Sequence, residues 1–133
     1  MKYDLMILVD DDDTAIFCNK TFANNFSPHS KIISFQNPLD FVKEYNTNLK
    51  KDSQKMLLIL DINMPQMHGF ELMELLEEDD DDDFLNVDVI ILTTSNLKSD
   101  SEKATHFKNI IGYIEKPLSV EKLNSIMNKR IGV

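Results

Sequence analysis

The sequence predicts a doubly wound α/β domain: a five-stranded parallel sheet, order 2-1-3-4-5, with five helices on its two faces. Three observations carry this. Five short apolar runs alternate with five stretches of helical periodicity, the pattern of strands joined by right-handed helical crossovers. The third run, Met56 to Leu60 (MLLIL), is apolar at every position, as a strand covered on both faces must be. Four of the five runs end in charged or hydroxyl side chains, Asp10-Asp11, Asp61, Thr93 and Lys116, and a parallel sheet delivers those ends to one edge. Placing the second run outermost makes the four ends neighbours. The ligand crevice then falls between the first and third strands.

The first strand is Leu5 to Val9, stopped by Asp10 to Asp13. A helix over Thr14 to Phe26 follows, with Ala15, Cys18, Phe22 and Phe26 at spacings that make one apolar face. Asp12 or Asp13 caps its N-terminus, where free N–H groups and the helix dipole favour an anion. Ser27-Pro28 ends it. Lys31 to Phe35 is the second strand, and Asn37-Pro38 opens the second helix with a capping side chain and a proline at the first helical position. Its buried stripe is Phe41, Val42, Tyr45 and Leu49. Lys50 to Lys55 is a polar connection into the third strand, which stops at Asp61 before Asn63 and the turn at Met64-Pro65.

Gly69 permits a tight turn into a third helix whose apolar residues are Phe70, Leu72, Met73, Leu75 and Leu76. The acidic block Glu77 to Asp83 (EEDDDDD) reads as a solvated loop. Its charge opposes the dipole at the helix end and should fray it, and it lacks the spaced ligands and turn glycine of a calcium loop. Val87 to Leu92 is the fourth strand, ending in Thr93-Thr94-Ser95. Ser99 with Glu102 forms a capping box for a weakly apolar, loosely held fourth helix through Phe107. Ile110 to Glu115 is the fifth strand, followed by Lys116-Pro117. Ser119 caps the last helix, whose face is Val120, Leu123, Ile126 and Met127.

A chain of 133 residues fits one well-buried core, so a single domain over 1–133 is expected, with no effector domain. A net charge of −9 argues against nucleic acid, which calls for a basic face. No apolar run reaches the length of a membrane span, and Met1 to Asp4 show no signal-peptide pattern. The expectation is a cytoplasmic protein without membrane contact. The single cysteine, Cys18, forms no internal disulfide, in keeping with that compartment. It is expected to be buried as a small apolar residue.

The strand ends define the chemistry. Three clustered carboxylates repel, and without a cation at least one is driven to protonate. A hard divalent ion relieves this, and an all-oxygen donor set points to Mg²⁺ or Mn²⁺ rather than zinc. Such an ion also binds phosphate oxygens. Thr93 can donate a hydrogen bond, and Lys116 a positive charge, to the same phosphoryl group. One carboxylate is left to act as nucleophile and form an acyl phosphate. Asp61 is the candidate because it ends the central strand.

Taken together, ILVDDDD, LILDINMPQMHGFEL, VIILTTS and GYIEKPLS resemble, nearly end to end, the receiver domain of two-component response regulators. The resemblance implies the flavodoxin-like (CheY-like) fold and a stand-alone receiver. It implies Mg²⁺ held by Asp10, Asp11 and Asp61 and by the main-chain carbonyl of Asn63. Asp61 is implied as phosphoacceptor, Thr93 and Lys116 as its partners, and Thr93 with Tyr113 as a switch. A cis peptide at Lys116-Pro117 is also implied, aiming the lysine inward. Departures are few. The segment before the third strand is long and polar, and Glu77 to Asp83 looks like an insertion. His68 stands where a small polar or acidic turn residue is common and reads as an exposed loop residue. Thr94 occupies a position that usually controls access to the phosphoryl group.

The implied function is to accept a phosphoryl group from a histidine kinase or histidine phosphotransfer protein. Output then comes by protein contact with a downstream partner or by onward phosphotransfer, without turnover as an enzyme. The alternative is a Mg²⁺-dependent phosphohydrolase with an aspartyl-phosphate intermediate. Phosphatases of the haloacid dehalogenase type place a second acid two residues after the nucleophile, where this chain has Asn63. A third reading, an interaction domain that has lost phosphorylation, conflicts with the complete set of residues.

Overall fold

The computed structural model describes residues 3–52, 54–78, 83–94, 102 and 106–130. Each apolar run becomes a strand: β1 Leu5–Val9, β2 Lys31–Phe35, β3 Met56–Asp61, β4 Asp88–Thr93 and β5 Ile110–Glu115. They form one parallel sheet in the order β2-β1-β3-β4-β5, as the sequence predicts. Every residue of β1, β3 and β4 is buried, because side chains of a central strand alternate between two covered faces. The outer strands β2 and β5 are mostly half-buried.

Four helices lie among the described residues: α1 Asp13–Phe26, α2 Pro38–Thr47, α3 Gly69–Glu78 and α4 Val120–Arg130. The predicted fourth helix, Ser99 to Phe107, falls largely outside the described residues, as does the middle of the acidic block. The alternation of the strands splits the core in two. Ile7, Leu58, Leu60 and Ile91 pack with Phe41 and Tyr45 of α2 and with Leu72, Met73 and Leu76 of α3. Met6, Leu8, Leu57, Ile59 and Leu92 pack on the other face with Ala23 of α1 and with Leu123 and Met127 of α4. Burying Leu57, Leu58, Ile59 and Leu60 contributes on the order of 8 kcal/mol. That is enough to carry the several kcal/mol lost by taking the adjoining Asp61 out of water.

The caps behave as their chemistry requires. Asp12, not Asp13, caps α1 by accepting from the Thr14 N–H at 2.9 Å. Asn37 caps α2 by accepting from Leu39 N–H at 2.9 Å, with Pro38 as the first helical residue. The Ser119 hydroxyl accepts from Lys122 N–H at 3.2 Å.

Three expectations are corrected. The face of α1 that meets the sheet is Ile16, Asn19 and Ala23, while Ala15, Phe22 and Phe26 are only half-buried. Cys18 is exposed. At 3.6 residues per turn it lies about 200° round the helix from Ile16, so burial of that stripe turns the thiol outward. The apolar spacing was real, but Phe22 and Phe26 pack against the flank of the core rather than beneath the helix. Gly69, for its part, answers a close approach rather than a turn needing a left-handed backbone. A Cβ there would lie 2.6 Å from Ile62 Cγ2 and 2.7 Å from Ile62 Cα.

Candidate functional site

The register of the central strands assembles the site. Val9 pairs with Leu60, Asp61 with Leu92, and Thr93 with Glu115. Asp10, Asp61, Thr93 and Lys116 therefore emerge within two residues of each other at the C-terminal edge of the sheet. Asp10 is anchored through its own N–H, which donates to Phe35 O at 3.1 Å. Its Oδ1 accepts from Asp12 N–H at 3.0 Å. Asp61 Oδ1 accepts from Asn63 N–H at 2.9 Å. Carboxylate oxygens of Asp10, Asp11 and Asp61 come within 4.8 Å of one another. Asp10 and Asp61 are 2% and 1% exposed, Asp11 is half-buried, and Asn63 and Thr94 are exposed.

Lys116 reaches this cluster from the end of β5. Its peptide bond to Pro117 is cis, as the resemblance implies, and its N–H donates to Thr93 O at 2.7 Å. The ammonium lies 3.1 Å from Asp61 Oδ2 and 3.4 Å from Asp10 Oδ2. Both contacts are ion pairs, and apart from this ammonium neither buried oxygen has a hydrogen-bond donor. Burial, and then the charge of Asp61, push Asp10 up from 3.8 to about 6, against the pull of the Asp12 N–H and of Lys116. Burial alone would lower the Lys116 pKa, but the carboxylates of Asp61 and Asp10 outweigh it and raise it.

These observations test the site for a cation. One ammonium shared by two buried carboxylates leaves Asp10 well above the ordinary carboxylate range, and the two buried oxygens have no donor besides that ammonium. An all-oxygen cluster of three carboxylates could hold a hard divalent ion, and the donor set fits Mg²⁺ or Mn²⁺.

The β4 tip closes the site. Thr93 is fully buried, and its hydroxyl donates to Asn63 Oδ1 at 3.1 Å. The same oxygen accepts from Thr94 N–H at 3.2 Å and from Thr94 Oγ1 at 3.4 Å. Tyr113 pairs with Ile91 on the adjacent strand, two positions before the Thr93 pair, and is half-buried against the α2–α3 core. Thus Asp10, Asp11, Asp61, Asn63, Thr93 and Lys116 come together, while Tyr113 stands on the neighbouring strand below them. His68 is half-buried rather than exposed. Its Nδ1 accepts from Phe70 N–H at 3.2 Å, so it takes up a free donor at the start of α3.

Two contributors are not predicted from the sequence. The Asn63 side chain, and not only its main-chain carbonyl, belongs to the site through its bond with Thr93. Lys122 Nζ donates to Glu115 O at 2.9 Å and to Pro117 O at 2.7 Å, bracketing Lys116. The signal was there: a lysine in the first turn of a helix opposes the dipole, which points to a specific acceptor.

The chain is 28% identical over 85 residues to the polar-differentiation response regulator DivK of Brucella anthropi, covering 64% of this chain and 67% of that protein. It is 28% identical over 118 residues to the heme response regulator HssR of Staphylococcus saprophyticus, covering 88% of this chain and 46% of that longer protein. A two-component response regulator from Cytophaga hutchinsonii superimposes over 100% of both chains, with a TM-score of 0.85 and 27% identity. The chemotaxis response regulator CheY4 of Vibrio cholerae shares the fold over 94% of this chain and 96% of its own, with a TM-score of 0.73 at 16% identity. With residues 6–128 matching the profile of the response regulator receiver domain, the chain belongs to that family.

Proposed function

We propose that this chain accepts a phosphoryl group on Asp61 from a phosphohistidine of a histidine kinase or histidine phosphotransfer protein. It passes the signal on by a phosphorylation-dependent protein contact or by onward phosphotransfer. The observation that carries this is the state of Asp61. Its Oδ1 is held by the Asn63 N–H, while its buried Oδ2 faces the Lys116 ammonium 3.1 Å away and has no other donor. Oδ2 attacks phosphorus, the P–N bond breaks, and its electron pair leaves on the imidazole nitrogen, which takes a proton from water. Lys116 offsets negative charge on the transferring group. Asp10, Asp11, Asp61 and the Asn63 carbonyl would hold Mg²⁺ or Mn²⁺, which when bound neutralises phosphoryl oxygens. Thr93 donates to a phosphoryl oxygen, and Tyr113, on the adjacent strand, turns inward in response. Asn63 cannot serve as the second acid that phosphatases of the haloacid dehalogenase type place at its position, which favours an acceptor over a turnover enzyme.

Acetyl phosphate with Mg²⁺, followed by intact mass, tests the assignment. One phosphoryl group is expected on the native chain and none on Asp61→Asn. Modification that survives in Asp61→Asn, or that forms equally well in excess chelator, refutes it.

A further inference from the structure

One side chain ties the β4 tip to the loop after β3. Asn63 Oδ1 takes three donors, Thr93 Oγ1 at 3.1 Å, Thr94 N at 3.2 Å and Thr94 Oγ1 at 3.4 Å. A carbonyl oxygen offers two lone pairs, so the three donors crowd a single acceptor. The Thr93 hydroxyl carries one proton. While Asn63 holds that proton, a phosphoryl oxygen on Asp61 does not receive it. We infer that the Asn63 side chain is a latch, which keeps the Thr93 hydroxyl and the Thr94 main chain turned to itself until a stronger acceptor forms on Asp61. This rests on the proposed phosphorylation of Asp61.

The direction of the exchange follows from charge and burial. A phosphoryl oxygen is an anionic acceptor, and hydrogen bonds to ionised acceptors are about twice as strong as neutral ones. Asn63 is exposed whereas Thr93 is fully buried. A released Asn63 amide is therefore satisfied by water, while a buried hydroxyl needs an acceptor inside the protein. The Asn63 carbonyl oxygen thus sets the threshold that a phosphoryl group must exceed before the β4 tip moves. Asn63 also touches Asp61, but through its main-chain N–H at 2.9 Å, a contact that does not depend on the side chain. The side chain acts through Thr93 and is a positioning group.

The test is a ¹⁹F NMR titration of the full chain with beryllofluoride at saturating Mg²⁺, with Asn63→Ala, Thr93→Ala and the double variant. Freed of the latch, Asn63→Ala is expected to bind beryllofluoride about three- to tenfold more tightly, the worth of one ordinary hydrogen bond. In the Thr93→Ala background the gain is expected to vanish. The Thr93 methyl resonance of Asn63→Ala, before any beryllofluoride is added, is expected to lie nearer its bound position than in the native chain. Unchanged or weaker affinity in Asn63→Ala overturns the latch, and so does a gain that persists without the Thr93 hydroxyl. If Asp61→Asn binds beryllofluoride as the native chain does, the phosphoacceptor assignment itself fails, and the latch with it.

Discussion

Replacing Asp10 by asparagine tests the electrostatics of the site most directly. In the metal-free protein Asp10 is buried beside Asp61, and its pKa rises from 3.8 to about 6. A carboxyl with a raised folded-state pKa binds its proton more tightly in the native state than in the unfolded chain. Its ionisation therefore destabilises the fold, with the penalty absent below about pH 4 and growing as pH rises through 6. The gap between 3.8 and about 6 corresponds to about 3 kcal/mol at pH 7. Asparagine keeps an oxygen to accept from the Asp12 N–H, now at 3.0 Å, and removes the charge that repels Asp61. It also gives up the 3.4 Å ion pair with Lys116, which offsets part of the gain. The net expectation in chelator at pH 7 is that Asp10→Asn is more stable than the native chain by about 1–3 kcal/mol, or about 3–10 °C in Tm. The difference should shrink toward zero near pH 4. In saturating Mg²⁺ the order should reverse, because a ligand stabilises the form that binds it better. Denaturant melts at pH 4, 5, 6 and 7, with chelator and with Mg²⁺, measure all of this. An Asp10→Asn protein less stable than the native one in chelator at pH 7, or a difference independent of pH, would falsify the account.

Three further outcomes follow from other parts of the molecule. Gly69→Ala should cost about 2–3 kcal/mol, since the added methyl meets Ile62 Cα at 2.7 Å and main chain cannot step aside as a side-chain tip can; a denaturant midpoint equal to that of the native chain contradicts the close approach. Tyr3→Phe removes a buried hydrogen bond from the Tyr3 hydroxyl to Asp88 at 2.8 Å and should cost about 1 kcal/mol, again read by denaturant melting, with no loss refuting it. Cys18, being exposed, should react with a thiol reagent in the folded protein as fast as in urea at the same pH, whereas strong native-state protection would return it to the core.

Periodicity determined most of the architecture. Strands covered on both faces must be apolar throughout, so Met56 to Leu60 reads as central. With polar residues gathered at four of the run ends, the strand order followed. The same logic found Asp10, Asp11, Asp61, Thr93 and Lys116, because a parallel sheet brings strand ends together whatever the detailed packing. The caps were legible too, since Asn37 and Ser119 act on N–H groups two or three residues away. What the sequence left open depended on contacts between distant segments. Which side of α1 meets the sheet is fixed by its packing on Met6, Leu8 and the neighbouring α4, so Ile16 is buried and Cys18, expected to be buried, is exposed. Gly69 is required by the backbone of Ile62 lying against it, a proximity that local turn chemistry does not encode. The Asn63 oxygen gathers Thr93 and Thr94 from thirty and thirty-one residues away, and its role exists only because β3 and β4 run side by side. Hydrogen bonds act over about 3 Å, so partners remote in sequence are decided by the fold, whereas alternation and capping act within a few residues and are written in the chain itself.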